Sequence, residues 1–178
     1  DKPLVRTKLD FHLTSSEDHH ILANGQLMKA FTEDNKKTVH WQLSQPCPSY
    51  LICLAVGEFT CFEDRKVDGL PIAYYGSKRS TEDDLQASFG RTPEMMEWLE
   101  KRLAVPFPYP KYFQFALPGI GGAMENISLV SWEEYFALKP SQRPEWEQLV
   151  DSINLHEMSH SYFGDMVVCR HFEHSWLK

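Results

Sequence analysis

The chain has 178 residues, 42% of them hydrophobic, 13% aromatic and 24% charged, a composition that supplies a core and excludes disorder over most of the length. Its 18 Lys and Arg stand against 25 Asp and Glu, a formal net charge of −7, and without the basic stripe that phosphate neutralisation demands, nucleic acid is excluded as a partner. No stretch approaches the roughly 18 consecutive apolar residues of a membrane span, and Cys47, Cys53, Cys61 and Cys169 form no C-x-x-C pair, so they read as free thiols that tilt the compartment toward cytoplasmic.

The first third reads as strands. Leu9, Phe11 and Leu13 alternate with Lys8, Asp10 and His12, and Val39, Trp41 and Leu43 alternate with Thr38, His40 and Gln42, the period of half-buried antiparallel strands. Asn24-Gly25 marks a tight hairpin turn. The apolar run Tyr50 to Val56 predicts a central strand covered on both faces. After the polar segment Glu63 to Asp68, helix signals begin. Thr81 and Asp84 have capping-box spacing, and Thr92-Pro93-Glu94 supplies an N-cap, a first-turn proline and an acid suited to the helix dipole. Met95, Met96, Trp98, Leu99 and Leu103 form an apolar helix face assigned to core packing.

Three prolines between Pro106 and Pro110 end that helix and impose an extended path. Tyr112 to Leu117 predicts an edge strand, the glycine-rich turn Gly119 to Gly122 follows, and Ile127 to Trp132 predicts another strand. The last helix is expected to start at Pro144 and run to about Phe163, with Gly164 in the left-handed position that closes it.

On that helix lies His156-Glu157-Met158-Ser159-His160, an H-E-x-x-H pattern. Residues four apart share a helix face, so His156 and His160 can bind one Zn²⁺ while Glu157 reaches the water that the metal activates. A carboxylate so placed can take the water proton and pass it to a leaving amine, the chemistry of a metalloprotease. His171 and His174, three apart, are assigned a surface role. No Walker, G-x-S-x-G or G-x-G-x-x-G motif is present.

About thirty residues upstream stands Gly121-Gly122-Ala123-Met124-Glu125-Asn126. G-A-M-E-N followed by H-E-x-x-H resembles the aminopeptidase N family of zinc metallopeptidases, the gluzincin aminopeptidases. The resemblance extends to Pro106-Phe107-Pro108-Tyr109-Pro110-Lys111, to Phe163-Gly164-Asp165, to Trp176-Leu177-Lys178 and to Asp1-Lys2-Pro3, a D-x-P match, so it covers nearly the whole chain.

What the resemblance implies is an α+β chain. Residues 1–74 would be the last strands of an antiparallel β domain, and 75–178 the first part of a thermolysin-like catalytic domain. His156 and His160 would be zinc ligands and Glu157 the general base. Glu125 would hold the free α-amino group of a peptide substrate, within a binding segment of Gly122, Ala123, Met124, Glu125 and Asn126 whose backbone runs beside the peptide. The family's third ligand is a glutamate after eighteen intervening residues, and Ser161 to Lys178 are eighteen, so that ligand is expected directly after Lys178. The chain is therefore expected to be inactive alone and to belong to a larger aminopeptidase. Two alternatives stay open: a related bifunctional epoxide hydrolase and aminopeptidase, whose G-G-M-E-N lacks the alanine found here as Ala123, and a metal-free scaffold homologue.

Overall fold

The computed structural model describes residues 2–178, so Asp1 of the D-x-P match lies outside the described residues. Long polar and apolar alternation builds the first sheet. Strands β1 (Arg6–Ser16), β3 (Gln26–Glu33) and β4 (Lys36–Pro48) pair antiparallel in the order β1-β4-β3. Leu9, Val39, Trp41 and Leu43 point into the protein, while Asp10, His12 and Lys29 face out, as the period of two requires.

Asn24-Gly25 is a tight turn but not a hairpin. Strand β2 (His20–Ala23) pairs with β5 (Leu54–Gly57), whereas β3 pairs with β4, so the turn carries the chain from one sheet to another. Gly25 has φ +88°, and a Cβ there would lie 2.1 Å from the Gln42 carbonyl oxygen, so only glycine fits. The apolar run from Tyr50 is also not a central strand. Ser49–Leu51 forms a 3-10 turn, and β5 pairs only with β2, leaving Leu54 and Val56 exposed on its open face.

The second half is organised around a five-stranded mixed sheet. Strands β6 (Thr60–Glu63), β7 (Ile72–Gly76), β8 (Tyr112–Leu117), β9 (Ala123–Met124) and β10 (Leu129–Glu133) lie in the order β6-β7-β8-β10-β9. β8 is parallel to both β7 and β10, so Tyr112 to Leu117 is a central strand rather than an edge. The crossover between the parallel pair β7 and β8 is made by helices α1 (Glu82–Phe89) and α2 (Thr92–Leu103), as a parallel connection requires. The architecture is α+β.

Helix α1 starts as its sequence dictates: the Thr81 side chain accepts from the Asp84 N–H at 3.2 Å, and Asp84 accepts from the Thr81 N–H at 2.8 Å. α2 does not use Thr92 as a cap. Arg91 takes that position, and the Thr92 hydroxyl turns inward, where it donates to the Phe89 carbonyl at 2.6 Å. Trp98 is 54% exposed and leaves the core to Met95, Met96 and Leu99. The last helix, α3, spans Arg143–His160 and ends before Gly164, whose φ of +139° belongs to the loop beyond. α3 packs against α1 and α2 and touches β9. One core joins the layers, with Leu43, Tyr74, Phe89, Met96, Trp132 and Met158 among its members. All four cysteines are free.

Candidate active site

The helical rise and twist bring His156 and His160 onto one face, and their Nε2 atoms lie 3.0 Å apart with the rings at 81°. The His160 Nδ1 lies 3.0 Å from the Phe163 carbonyl oxygen, an acceptor, so Nδ1 carries the proton and the Nε2 lone pair faces His156. Burial, and then the neighbouring His160, pushes the His156 pKa down, favouring the neutral ring that metal ligation needs.

Glu157, one residue on and about 100° further round the helix, faces the interior. It is 6% exposed, and its Oε2 has no hydrogen-bond partner in the protein. Burial, reinforced by the nearby Glu125 carboxylate, pushes its pKa up to about 7. Glu125 comes from the loop after β9 and is also buried. One donor atom from each of Glu125, Glu157 and His160 lies within 4.8 Å of the others. His156 is not part of that group; it contacts His160, Nε2 to Nε2 at 3.0 Å.

Glu125 already holds a cation. The Lys178 ammonium makes an ion pair with Glu125 Oε1 and stands 4.8 Å from the centre of the Tyr50 ring. Burial alone would raise the Glu125 pKa, but the Lys178 contact outweighs it and the net shift is downward. Tyr50 is a residue the sequence reading assigned only to a strand; no motif or period marked it.

The remaining predicted residues build the rim. β9, carrying Ala123 and Met124, pairs antiparallel with β10 on one side and, among the described residues, has no strand on the other. The Gly122 carbonyl accepts the Glu133 N–H at 2.6 Å, and the Glu133 carboxylate accepts the N–H groups of Gly119 and Gly121, which fixes the glycine turn. The Asn126 Oδ1 accepts from the Ser131 hydroxyl at 2.9 Å. A groove bordered by Leu54, Val56, Ile120, Gly122, Ala123 and Met124 lies beside this segment.

A second group of donor side chains, Asp10, His12 and His40, sits on the outer face of the first sheet. There the two imidazoles stack 4.2 Å apart at 18°, and both Nε2 atoms approach the same Asp10 Oδ1, His12 at 3.1 Å and His40 at 2.7 Å. His171 and His174 have ring centres 6.1 Å apart, His171 just before and His174 within an exposed 3-10 turn, Phe172–Leu177.

Paired imidazoles on a helix, buried carboxylates beside them and a strand edge alongside make this the candidate active site. Comparison with known proteins agrees: residues 87–178 match the peptidase family M1 domain. The chain is 29% identical to "Aminopeptidase M1" of Arabidopsis thaliana over 99% of its own length and 20% of that protein. It is 34% identical to "Aminopeptidase N" of Lactobacillus delbrueckii subsp. lactis over 72% of its length and 16% of the relative, and 28% identical to "Glutamyl aminopeptidase" of Mus musculus over 99% and 19%. The chain belongs to peptidase family M1. It spans about a fifth of the length of the relatives it matches.

Proposed function

We propose that this chain carries the zinc and amine-binding part of an aminopeptidase that removes N-terminal residues from peptides. The observation that carries the reading is the clustering of donor atoms of Glu125, Glu157 and His160 within 4.8 Å of one another, with His156 Nε2 3.0 Å from His160 Nε2. The donor set suits Zn²⁺: two imidazole nitrogens brought together on one helix face, one ring oriented by a backbone carbonyl, and an unpartnered buried carboxylate oxygen on the same helix. His156 and His160 would hold the ion. Bound there, zinc supplies Lewis acidity to the scissile carbonyl and to the attacking water.

The chain's own residues do the rest. Glu157, kept short of partners and with its pKa raised to about 7, accepts a proton from the attacking water and delivers it to the departing amine. Glu125 pairs with the substrate's ammonium in the place where it now holds that of Lys178. The free edge of β9 accepts the peptide as an added strand. A carboxylate at a fixed distance from the metal admits only the first peptide bond, which makes the enzyme an exopeptidase. Under this reading 75–178 opens a thermolysin-like domain and 1–74 closes a β domain, with the junction inside β7. The test is metal analysis and peptidase kinetics on the full-length protein: Glu157→Gln should retain one zinc per chain and lose about 10²–10⁴ in kcat. Turnover at the wild-type rate would remove Glu157 from its role.

A further inference from the structure

The loop that carries Glu125 is gripped from behind by residues far away in sequence. Asn24, fully buried, donates from Nδ2 to the carbonyl oxygens of Ile127 at 2.7 Å and Leu51 at 3.1 Å, and its Oδ1 accepts the Cys53 N–H at 2.7 Å. The Gly25 N–H donates to the Ser128 hydroxyl oxygen at 2.8 Å. From the other side the Lys111 ammonium, 2% exposed, donates to the Ser128 carbonyl at 3.1 Å, to its hydroxyl oxygen at 3.1 Å and to the Ala23 carbonyl at 2.9 Å. Burial pushes the Lys111 pKa well below its ordinary value; in the charged form these three acceptors use every donor of the ammonium group, while the Trp41 and Phe113 rings lie 4.8 and 5.1 Å from the nitrogen.

Both anchors converge on Ile127 and Ser128, two and three residues after Glu125. Ser128 has φ +62°, a left-handed conformation that costs a non-glycine residue about 1 kcal/mol and persists only where its surroundings impose it. Burying a lysine among carbonyls and rings is an expensive way to gain stability alone, since an apolar side chain of the same length would fill the space. What the ammonium adds is direction: it fixes where two particular oxygens of Ser128 stand.

We propose that Asn24 and Lys111 are positioning residues for the amine subsite, holding Ile127 and Ser128 so that the Glu125 carboxylate stays aimed at the space in front of His160. The inference rests on the aminopeptidase reading of Glu125 and adds to it that the subsite is assembled from the β2–β3 turn as well as from the G-A-M-E-N segment. Asn24 and Lys111 touch no substrate in this arrangement. They act through two residues of the loop.

The test compares inhibition of the zinc-loaded full-length protein by alanine hydroxamate and by propionohydroxamate, which share the metal-chelating group and differ only in the α-amine. In the wild type the amine-bearing compound should bind more tightly. Asn24→Asp, which turns a double donor into an anion facing two carbonyls, should shrink that preference about tenfold, and the milder Ser128→Ala about threefold, with zinc content unchanged. If Asn24→Asp fails to fold, Ser128→Ala and Lys111→Met decide. A zinc-loaded variant with a lowered melting temperature but an undiminished preference for the amine would overturn the inference, because loss of stability alone weakens neither ligand selectively. Absence of any preference in the wild type would instead sink the aminopeptidase reading of Glu125.

Discussion

Thr92 is the joint between the sheet and α3, and replacing it with valine measures what that joint holds. Its hydroxyl donates to the Phe89 carbonyl at 2.6 Å and accepts from Gln114 Nε2 at 2.9 Å and from Asn154 Nδ2 at 2.8 Å. Gln114 in turn accepts the Trp132 indole N–H at 2.9 Å, and all four side chains are fully buried. Valine preserves the shape, so no cavity forms, but three polar groups lose their partner where water does not reach. Each such loss costs about 1–3 kcal/mol, so even the low end sums to about 3 kcal/mol, a large share of a typical domain's margin. Asn154 lies two residues before His156, so the disruption enters α3 directly. Hydrogen exchange followed by mass spectrometry on peptides covering 143–160 should show about 100-fold faster exchange in Thr92→Val, since each 1.4 kcal/mol is tenfold. Thr92→Ser, which keeps the hydroxyl, should stay close to wild type. Exchange of α3 at the wild-type rate in the valine variant would refute the network's energetic role.

Two further outcomes follow from buried ionisable groups. Burial would raise the Asp84 pKa, but the Lys139 ammonium at 2.6 Å and the Thr81 cap outweigh it, so its folded pKa lies below 3.8. A depressed carboxylate pKa stabilises the fold above the unfolded value and loses that contribution as pH falls through the folded one. Amides of α1 should therefore exchange faster relative to those of α2 below about pH 3.8, and Asp84→Asn should abolish the pH dependence. Burial, with Asp165 adding a smaller push, raises the Cys47 thiol to about 12, so it stays protonated at pH 8. Native-state alkylation with iodoacetamide at pH 8 should leave Cys47 unmodified until the protein is denatured.

The parts of this structure that could be read from the sequence are those decided by neighbours along the chain. H-E-x-x-H is legible because one helical turn fixes which residues share a face, and the α1 capping box because Thr81 and Asp84 satisfy each other within three residues. Strand alternation in β1 and β4 follows from the same locality. Pairing between distant segments was not legible. Asn24-Gly25 has the sequence of a hairpin turn, yet its flanking strands belong to different sheets. Tyr112 to Leu117 reads as an edge strand, yet β7 and β10 flank it in parallel. Thr92 has the cap-like neighbours of a helix start, and the three buried partners that claim its hydroxyl lie elsewhere in the chain or at the end of α1.

The same division explains why the site's first layer was visible and its support was not. His156, Glu157 and His160 are set by a single helix, and the 100° step between consecutive residues is what turns Glu157 into the protein while His156 keeps part of its ring in the open. Glu125 has no such local ruler. Its loop takes its shape from Asn24 and Lys111, and the Ile127 and Ser128 oxygens they meet lie 103 and 17 residues away respectively. Distances of that kind leave no period and no motif in a sequence, only a buried asparagine and a buried lysine whose hydrogen bonds must end somewhere. That they end beside Glu125 is why the first strands of the chain matter to the chemistry of its last helix.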